Sequence, residues 1–577
     1  MAVQEKIMKL PDIKGVIRNT TKLLNPGIDS AMLENLTNQL VEFAGNLSEV
    51  MRKSRLTKRF KIYSLEETFP NIPIFALLKK EFEKVNITLN DTEEVKLHYI
   101  YCEKLSAFLE TANPNALYNY AGFVAMFQYI PFVNMSTEEA ISNEPTQRIT
   151  RGRNWNECIA LMDESARDIL DYLYVTNDPN HVTIKSEVKD IARRLQQALN
   201  EMLQNNSWLD NTTRQTLEKK LKKVALRIGY PDMLLNISLL ETRYKYVPFF
   251  PLNISFTEAL YHIKENLYKT SLRKFRYPEE GKMGWDHSPR KGRPSHDIHW
   301  SKIEIPYKLL ASPLFQQRLP RSLNYGGIGG VIASALSHSI SIIGVKDHVS
   351  REYQNLMTEN SVALFKNRTS CFLRQYKAFD KKLLLELDDK YNENTSAEAD
   401  EHEAFFAKSS KYDPCYIHAL LERHNVTEEP SGKRDNSTEE CLQYWREYFK
   451  RYDYYWPNLR VLWSLTLDED VADNTGLHTA FNAYKKFLEE ECGGQDTRLK
   501  GLEDFSGMQL LFISNAMTQC RITDKATLIR EIRWSQYSTA RNRVNGAMMN
   551  LKSFAKAFNC SVGSPMNPGK NETCSFW

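Results

Sequence analysis

The sequence predicts a mainly α-helical protein of two lobes, and three observations carry that expectation. A chain of 577 residues is longer than one hydrophobic core usually organises. Through residues 1 to about 290, apolar side chains recur at three-to-four spacing with few strand-like alternations. At residues 323–344, two glycine pairs (Gly326-Gly327 and Gly329-Gly330) open a run rich in Ala, Ile, Leu and Ser, with no further breaker before Gly344. Such a run reads as a buried helix that other elements approach closely, with Gly344 as its C-cap. Ser334 and His338, four residues apart, share one face of that helix.

Composition narrows the function classes. With 42% apolar and 26% charged residues the chain is globular, not disordered. A net charge of +4 is small for this length and points to no nucleic acid. The basic run from Arg52 to Lys61 reads as a solvated helix face. The residues after Met1 have no signal-peptide pattern, and the longest apolar stretch, 116–133, is broken by Asn119, Gly122, Gln128 and Pro131. That stretch is a buried helix rather than a membrane span. Asn-x-Ser/Thr triplets are dense, beginning at Asn19, Asn35, Asn46, Asn86, Asn90, Asn134, Asn205, Asn211, Asn236 and Asn253 and recurring from Asn367 onward. Together they suit a glycosylated, extracellular or cell-surface protein. Nine cysteines leave at least one without an intramolecular partner.

Taken in order, residues 205–214 supply helix-start chemistry for a basic helix over 215–226, which Gly229 and Pro231 terminate. The chain crosses into a second lobe between Gly284 and Leu314, and helix continues over 351–385. Residues 387–440 form a polar, acidic insertion, where Cys415 and Cys441 are placed to close a local loop. The aromatic run from Tyr444 to Trp456 reads as a packing surface. Glu469 and Asp473 lie at i, i+4 on a helix, which by itself describes a solvated face.

Four stretches together resemble the neprilysin family of zinc metallopeptidases. They are Asn324–Gly329 before the central helix, Arg227–Asp232, Leu467–Asn474, and the C-terminal run from Arg543 to Trp577. The resemblance implies two helical lobes, 1–290 and 291–577, enclosing a central cavity, with a thermolysin-like core and a small sheet in the C-terminal lobe. It also implies where the chemistry should sit. The family's H-E-x-x-H helix binds zinc through two histidines and supplies a glutamate base; here the same positions read Ser334-Ala335-Leu336-Ser337-His338. Glu469 falls at the third zinc-ligand position, and Asp473 at the position that orients a ligating histidine. Arg543 matches an arginine that grips a substrate carbonyl, and Tyr537 stands where the family has a histidine that stabilises the tetrahedral intermediate. Tyr537 reads as a buried structural tyrosine, with donation to an oxyanion as its other possible role. The family's substrate-pairing edge strand corresponds to Arg293–His296, where Pro294 cannot donate to a ladder. The resemblance pairs Cys371 with Cys574, and assigns Cys158, Cys520 and Cys560 to partners in an N-terminal segment that this chain lacks, together with the family's membrane anchor.

These positions set the functional expectation. His338 and Glu469 remain as metal-ligand positions, whereas Ser334 is a poor ligand and Ala335 has no titratable group. No catalytic residue and no cofactor are expected, and the chain reads as a pseudopeptidase that binds peptides or an extracellular protein partner. The alternative is an active zinc metalloendopeptidase on small extracellular peptides, through a site rebuilt with His296; otherwise His296 and His299 are surface loop histidines. An endoplasmic-reticulum or scaffold role without a ligand is a third reading.

Overall fold

The computed structural model describes residues 12–52, 57–127, 155–278, 285–297, 301–341, 357–389, 466–569 and 572–576. The 387–440 insertion beyond Asp389, the Cys415 and Cys441 pair, the aromatic run 444–456, Asn134, His299, Gly344, Trp577 and the side chain of Cys158 lie outside the described residues. The chain folds into two mostly helical compact units: Met1–Leu173 with Asp232–Gly284, and Tyr174–Pro231 with Trp285–Trp577.

In the first unit, the Asp12 carboxylate accepts a hydrogen bond from the Gly15 N–H at 2.8 Å and starts helix Ile13–Leu24. That helix packs with Ser30–Arg52 and Pro114–Phe127 around Ile17, Leu40, Phe43, Tyr120 and Phe123, all buried. A short antiparallel ladder joins strands β1 (Lys58–Lys61) and β2 (Glu94–Leu97), which the helical periodicity of this half did not suggest.

The second unit holds a three-stranded sheet of β3 (Ala225–Gly229), β4 (Ser295–Asp297) and β5 (Lys302–Pro306), in the order β3-β5-β4. β3 runs parallel to β5, and β4 antiparallel to it. The basic helix expected through Leu226 instead ends at Lys223, because Ala225 and Leu226 pair with Lys302 and Ile303. Gly229, at φ +82°, ends the strand. β4 is an edge strand, and Pro294 stands just before it, where its missing N–H breaks no ladder.

The central helix spans Gly330–Ile340 and is entered through a π-helical turn, Tyr325–Gly329. Its glycines act as the sequence suggests. A Cβ on Gly326 would sit 2.1 Å from the Leu511 carbonyl oxygen, and one on Gly327 would sit 2.3 Å from that of Leu314. Helix Gly507–Met517 can therefore lie on the turn, tied by Ser514 Oγ donating to the Leu323 carbonyl (2.7 Å) and Asn515 Nδ2 donating to that of Gly326 (3.0 Å). The central helix stops earlier than expected: Ser341, not Gly344, is its C-cap, with an extended ψ of 139°. Across its face runs the antiparallel helix Leu467–Glu491, whose Gly476 abuts the Ser334 backbone. Helix Glu359–Asp389 is bonded to the C-terminus through the Cys371–Cys574 disulfide. Cys102, Cys492, Cys520 and Cys560 are unpaired.

Candidate functional site

The crossing of the two helices brings His338 against the first turn of Leu467–Glu491. Three acids, Asp468, Glu469 and Asp470, occupy that turn, where the helix dipole favours negative charge. His338 Nδ1 lies 3.1 Å from Asp468 Oδ2, and Nε2 lies 3.3 Å from Glu469 Oε2. Ser341 Oγ donates to the other oxygen of Asp468 at 2.7 Å. Burial disfavours an imidazolium here, but the two carboxylates outweigh it and raise the His338 pKa well above the ordinary histidine range. The protonated ring is hydrogen-bonded through Nδ1 to Asp468 and paired in charge through Nε2 with Glu469.

His296 is not a loop histidine. It lies on β4, paired with Ile303, and its ring centroid is 6.4 Å from that of His338. Burial, followed by the positive charges of His338 and Lys220, pulls its pKa down to about 4, so it is neutral near pH 7. Lys220, from helix Asn211–Lys223, is itself lowered to about 8 by burial, opposed by the charge of Asp468.

One turn beyond Glu469, Asp473 accepts from Arg543 Nε at 2.6 Å and from Nη2 at 2.7 Å, a bidentate pair between two helices. Arg543 also lies over the Tyr537 ring, 5.1 Å from its centroid. Tyr537 is 41% exposed and so is not the buried structural tyrosine that the sequence suggested. These groups line one cavity of about 990 Å³ in the second unit, together with Arg293, Ser334, Ala335, Arg521 and Glu531.

Ser334, Ala335, His338, Glu469, Asp473, Tyr537 and Arg543 thus converge on one site. Cys371 and Cys574 lie elsewhere, and Cys520 lines the same cavity. Sequence reasoning missed Asp468 and the inward position of His296. For Asp468, the signal was its place beside Glu469 in the acidic first turn. Among the described residues, no three His, Cys, Asp or Glu side chains are grouped so as to hold a metal ion.

The models of peptidase family M13 match this chain, the N-terminal one over residues 5–231 and the catalytic one over 298–404 and 420–574. Neprilysin-1 of Caenorhabditis elegans is 24% identical, aligned over 98% of this chain and 66% of its own length. Membrane metallo-endopeptidase-like 1 of Mus musculus is 23% identical over 95% of this chain and 63% of its own. The chain thus spans slightly less than two thirds of these relatives. Among solved structures, the zinc metalloprotease Zmp1 of Mycobacterium tuberculosis in its open state superposes with a TM-score of 0.67 at 16% identity, covering 98% of this chain and 76% of that one.

Proposed function

Because the chain belongs to peptidase family M13, we propose that it keeps the family's binding pocket while having lost the zinc chemistry, and acts as a non-catalytic binder of extracellular peptides or of a protein partner. The observation that carries this reading is the donor set at the crossing of the two helices. A catalytic zinc site uses three protein ligands and an open position for water. Here a neutral serine hydroxyl and a methyl group occupy two of the positions that matter, Ser334 and Ala335. Both nitrogens of His338 face carboxylates, which favours a protonated ring over one free to bind a metal. The residues present do not fit zinc. Loss of the base alone typically lowers the rate by about two to four orders of magnitude.

The alternative, an active zinc metalloendopeptidase, draws support from His296, whose neutral ring lies beside His338. It needs His338 to break both contacts with its carboxylates before it can bind metal.

Extracellular placement is part of the proposal. The asparagines of the triplets at 35, 46, 86, 90, 205, 211, 236, 253 and 367 are all exposed, as glycan attachment requires, and Asn19 is half-buried. No described helix is long and apolar enough to cross a membrane.

The test is to equilibrate the purified chain with zinc, remove free metal, and measure bound zinc and cleavage of a fluorescence-quenched peptide. The double substitution Ser334→His with Ala335→Glu is measured alongside. Retention of zinc and gain of cleavage only in the substituted protein is the expected result. Stoichiometric, tightly held zinc or chelator-sensitive cleavage in the unmodified chain would overturn the proposal.

A further inference from the structure

The cavity is lined by two hydrogen-bond donors that the described protein does not use. The other cations lining the cavity are committed: Arg543 to Asp473, Arg521 to Glu531 at 2.6 Å, and His338 to Asp468 and Glu469. Arg293 differs. It is exposed, lines the cavity, and forms no ion pair or hydrogen bond with any described residue. The Tyr537 hydroxyl likewise has no hydrogen-bond partner among the described residues, and the phenol is partly exposed on the cavity surface.

The two groups are within electrostatic reach of each other. The charge of Arg293 acts on the Tyr537 hydroxyl, while burial and the charge of Glu469 hold the phenol in its protonated form. Tyr537 can therefore donate, and its ring is steadied by the Arg543 guanidinium, 5.1 Å from the centroid. A guanidinium fork and a phenolic O–H that line the same cavity, neither bonded to a described acceptor, form a donor pair. The complementary group is planar, anionic and carries two acceptor oxygens, which describes a carboxylate.

We propose that Arg293 and Tyr537 form an anion subsite that anchors a carboxylate of a bound peptide, either an acidic side chain or the C-terminus. This assignment rests on the peptide-binding reading above and adds a ligand preference to it. Arg293 is the specificity-determining residue, because its charge is not neutralised within the described protein and its side chain reaches the cavity from the segment leading into edge strand β4. Tyr537 supplies the second donor and the neutral surface over which the ligand lies. Lysine at 293 would keep the charge but lose the fork, so it retains only part of the preference.

The experiment titrates the full chain, by fluorescence anisotropy, with three pools of dye-labelled synthetic decapeptides sharing one randomised core without acidic residues. One pool ends in a free carboxylate. One is C-terminally amidated and carries a single glutamate. The third is amidated with glutamine in place of that glutamate. At least one carboxylate pool is expected to bind about fivefold or more tightly than the glutamine pool, and which one does so identifies the carboxylate as terminal or side-chain. Arg293→Gln should abolish the difference, Tyr537→Phe should reduce it, and neither should move the thermal unfolding midpoint, since both side chains are exposed or partly so. Equal binding of all three pools, or a preference that survives in Arg293→Gln, overturns the subsite while leaving peptide binding intact. If no pool binds, the peptide-binding reading falls and the subsite falls with it.

Discussion

Replacing Gly476 by alanine tests the helix crossing on which the whole site depends. A methyl group at this position would lie 2.7 Å from the Ser334 backbone nitrogen, 2.9 Å from its Cα and 3.1 Å from its Cβ. Ordinary carbon contacts need about 3.5 Å or more, and the two nearest atoms are backbone and the third is Cβ, none of which a rotamer change can move. The two helices must therefore separate by several tenths of an ångström along a buried face. Overpacking of this kind costs about 1–3 kcal/mol, offset by about 0.5–1 kcal/mol for exchanging glycine for alanine within a helix. The net expectation is a loss of about 1–2 kcal/mol. Gly45 is the control. It also lies inside a helix, Ser30–Arg52, but a Cβ there meets nothing within 4 Å. Gly45→Ala should therefore stabilise its own unit by about 0.5–1 kcal/mol. Calorimetric unfolding of the two variants beside the unmodified chain should show midpoint shifts of opposite sign. If Gly476→Ala stabilises as Gly45→Ala does, the helices do not touch at Ser334, and the placement of His338 against Glu469 loses its support.

Substitutions at two carboxylates probe charge in the second unit. Asp210 caps helix Asn211–Lys223, accepting from the Thr213 N–H at 2.9 Å and from the hydroxyls of Thr213, Thr358 and Ser361. Burial opposes its charge, but these bonds prevail and hold its carboxyl well below the usual range. Its stabilisation is therefore complete above about pH 4 and is lost as the pH falls through the folded-state value. Asp210→Ala should cost about 1–2 kcal/mol at pH 7 in denaturant titrations, and Asp210→Asn should cost less. Asp380 behaves oppositely. Burial raises its pKa to about 6, against a weaker opposing bond donated by Asn542 Nδ2 at 2.8 Å. The native chain keeps a proton that the unfolded chain releases, so stability falls as the pH rises from about 4 to about 6 and is level above that. Asp380→Asn should remove this slope and gain about 1–2 kcal/mol at pH 7, after allowing for its partial exposure. An unchanged pH profile would contradict the burial of this carboxylate.

What the sequence disclosed follows the range of the interactions involved. The glycine pairs before the central helix, the shared face of Ser334 and His338, and the i, i+4 pair Glu469 and Asp473 depend on spacing within a few residues, and all were legible. Ala225 and Leu226 were read as helix because they follow a strongly helical basic segment. Their strand partners, Lys302 and Ile303, lie far along the chain, and no local pattern announces them. His296 looked like a loop residue because Pro294 argues against a strand, whereas the ladder begins one residue later. The bidentate pairing of Asp473 with Arg543 joins two helices 70 residues apart in sequence. Neither residue alone shows whether it faces the other, a metal or a ligand.

The disulfide between Cys371 and Cys574 has a practical corollary for handling the protein. It joins residues separated by 203 in sequence, enclosing Glu469, Asp473, Tyr537 and Arg543 but leaving His338 outside the loop. Any single cut of the backbone inside that loop yields two fragments that remain covalently joined. Such a nicked chain would travel as one species on a non-reducing gel and separate only when thiol is added. A preparation judged intact without reductant could therefore be a two-chain molecule.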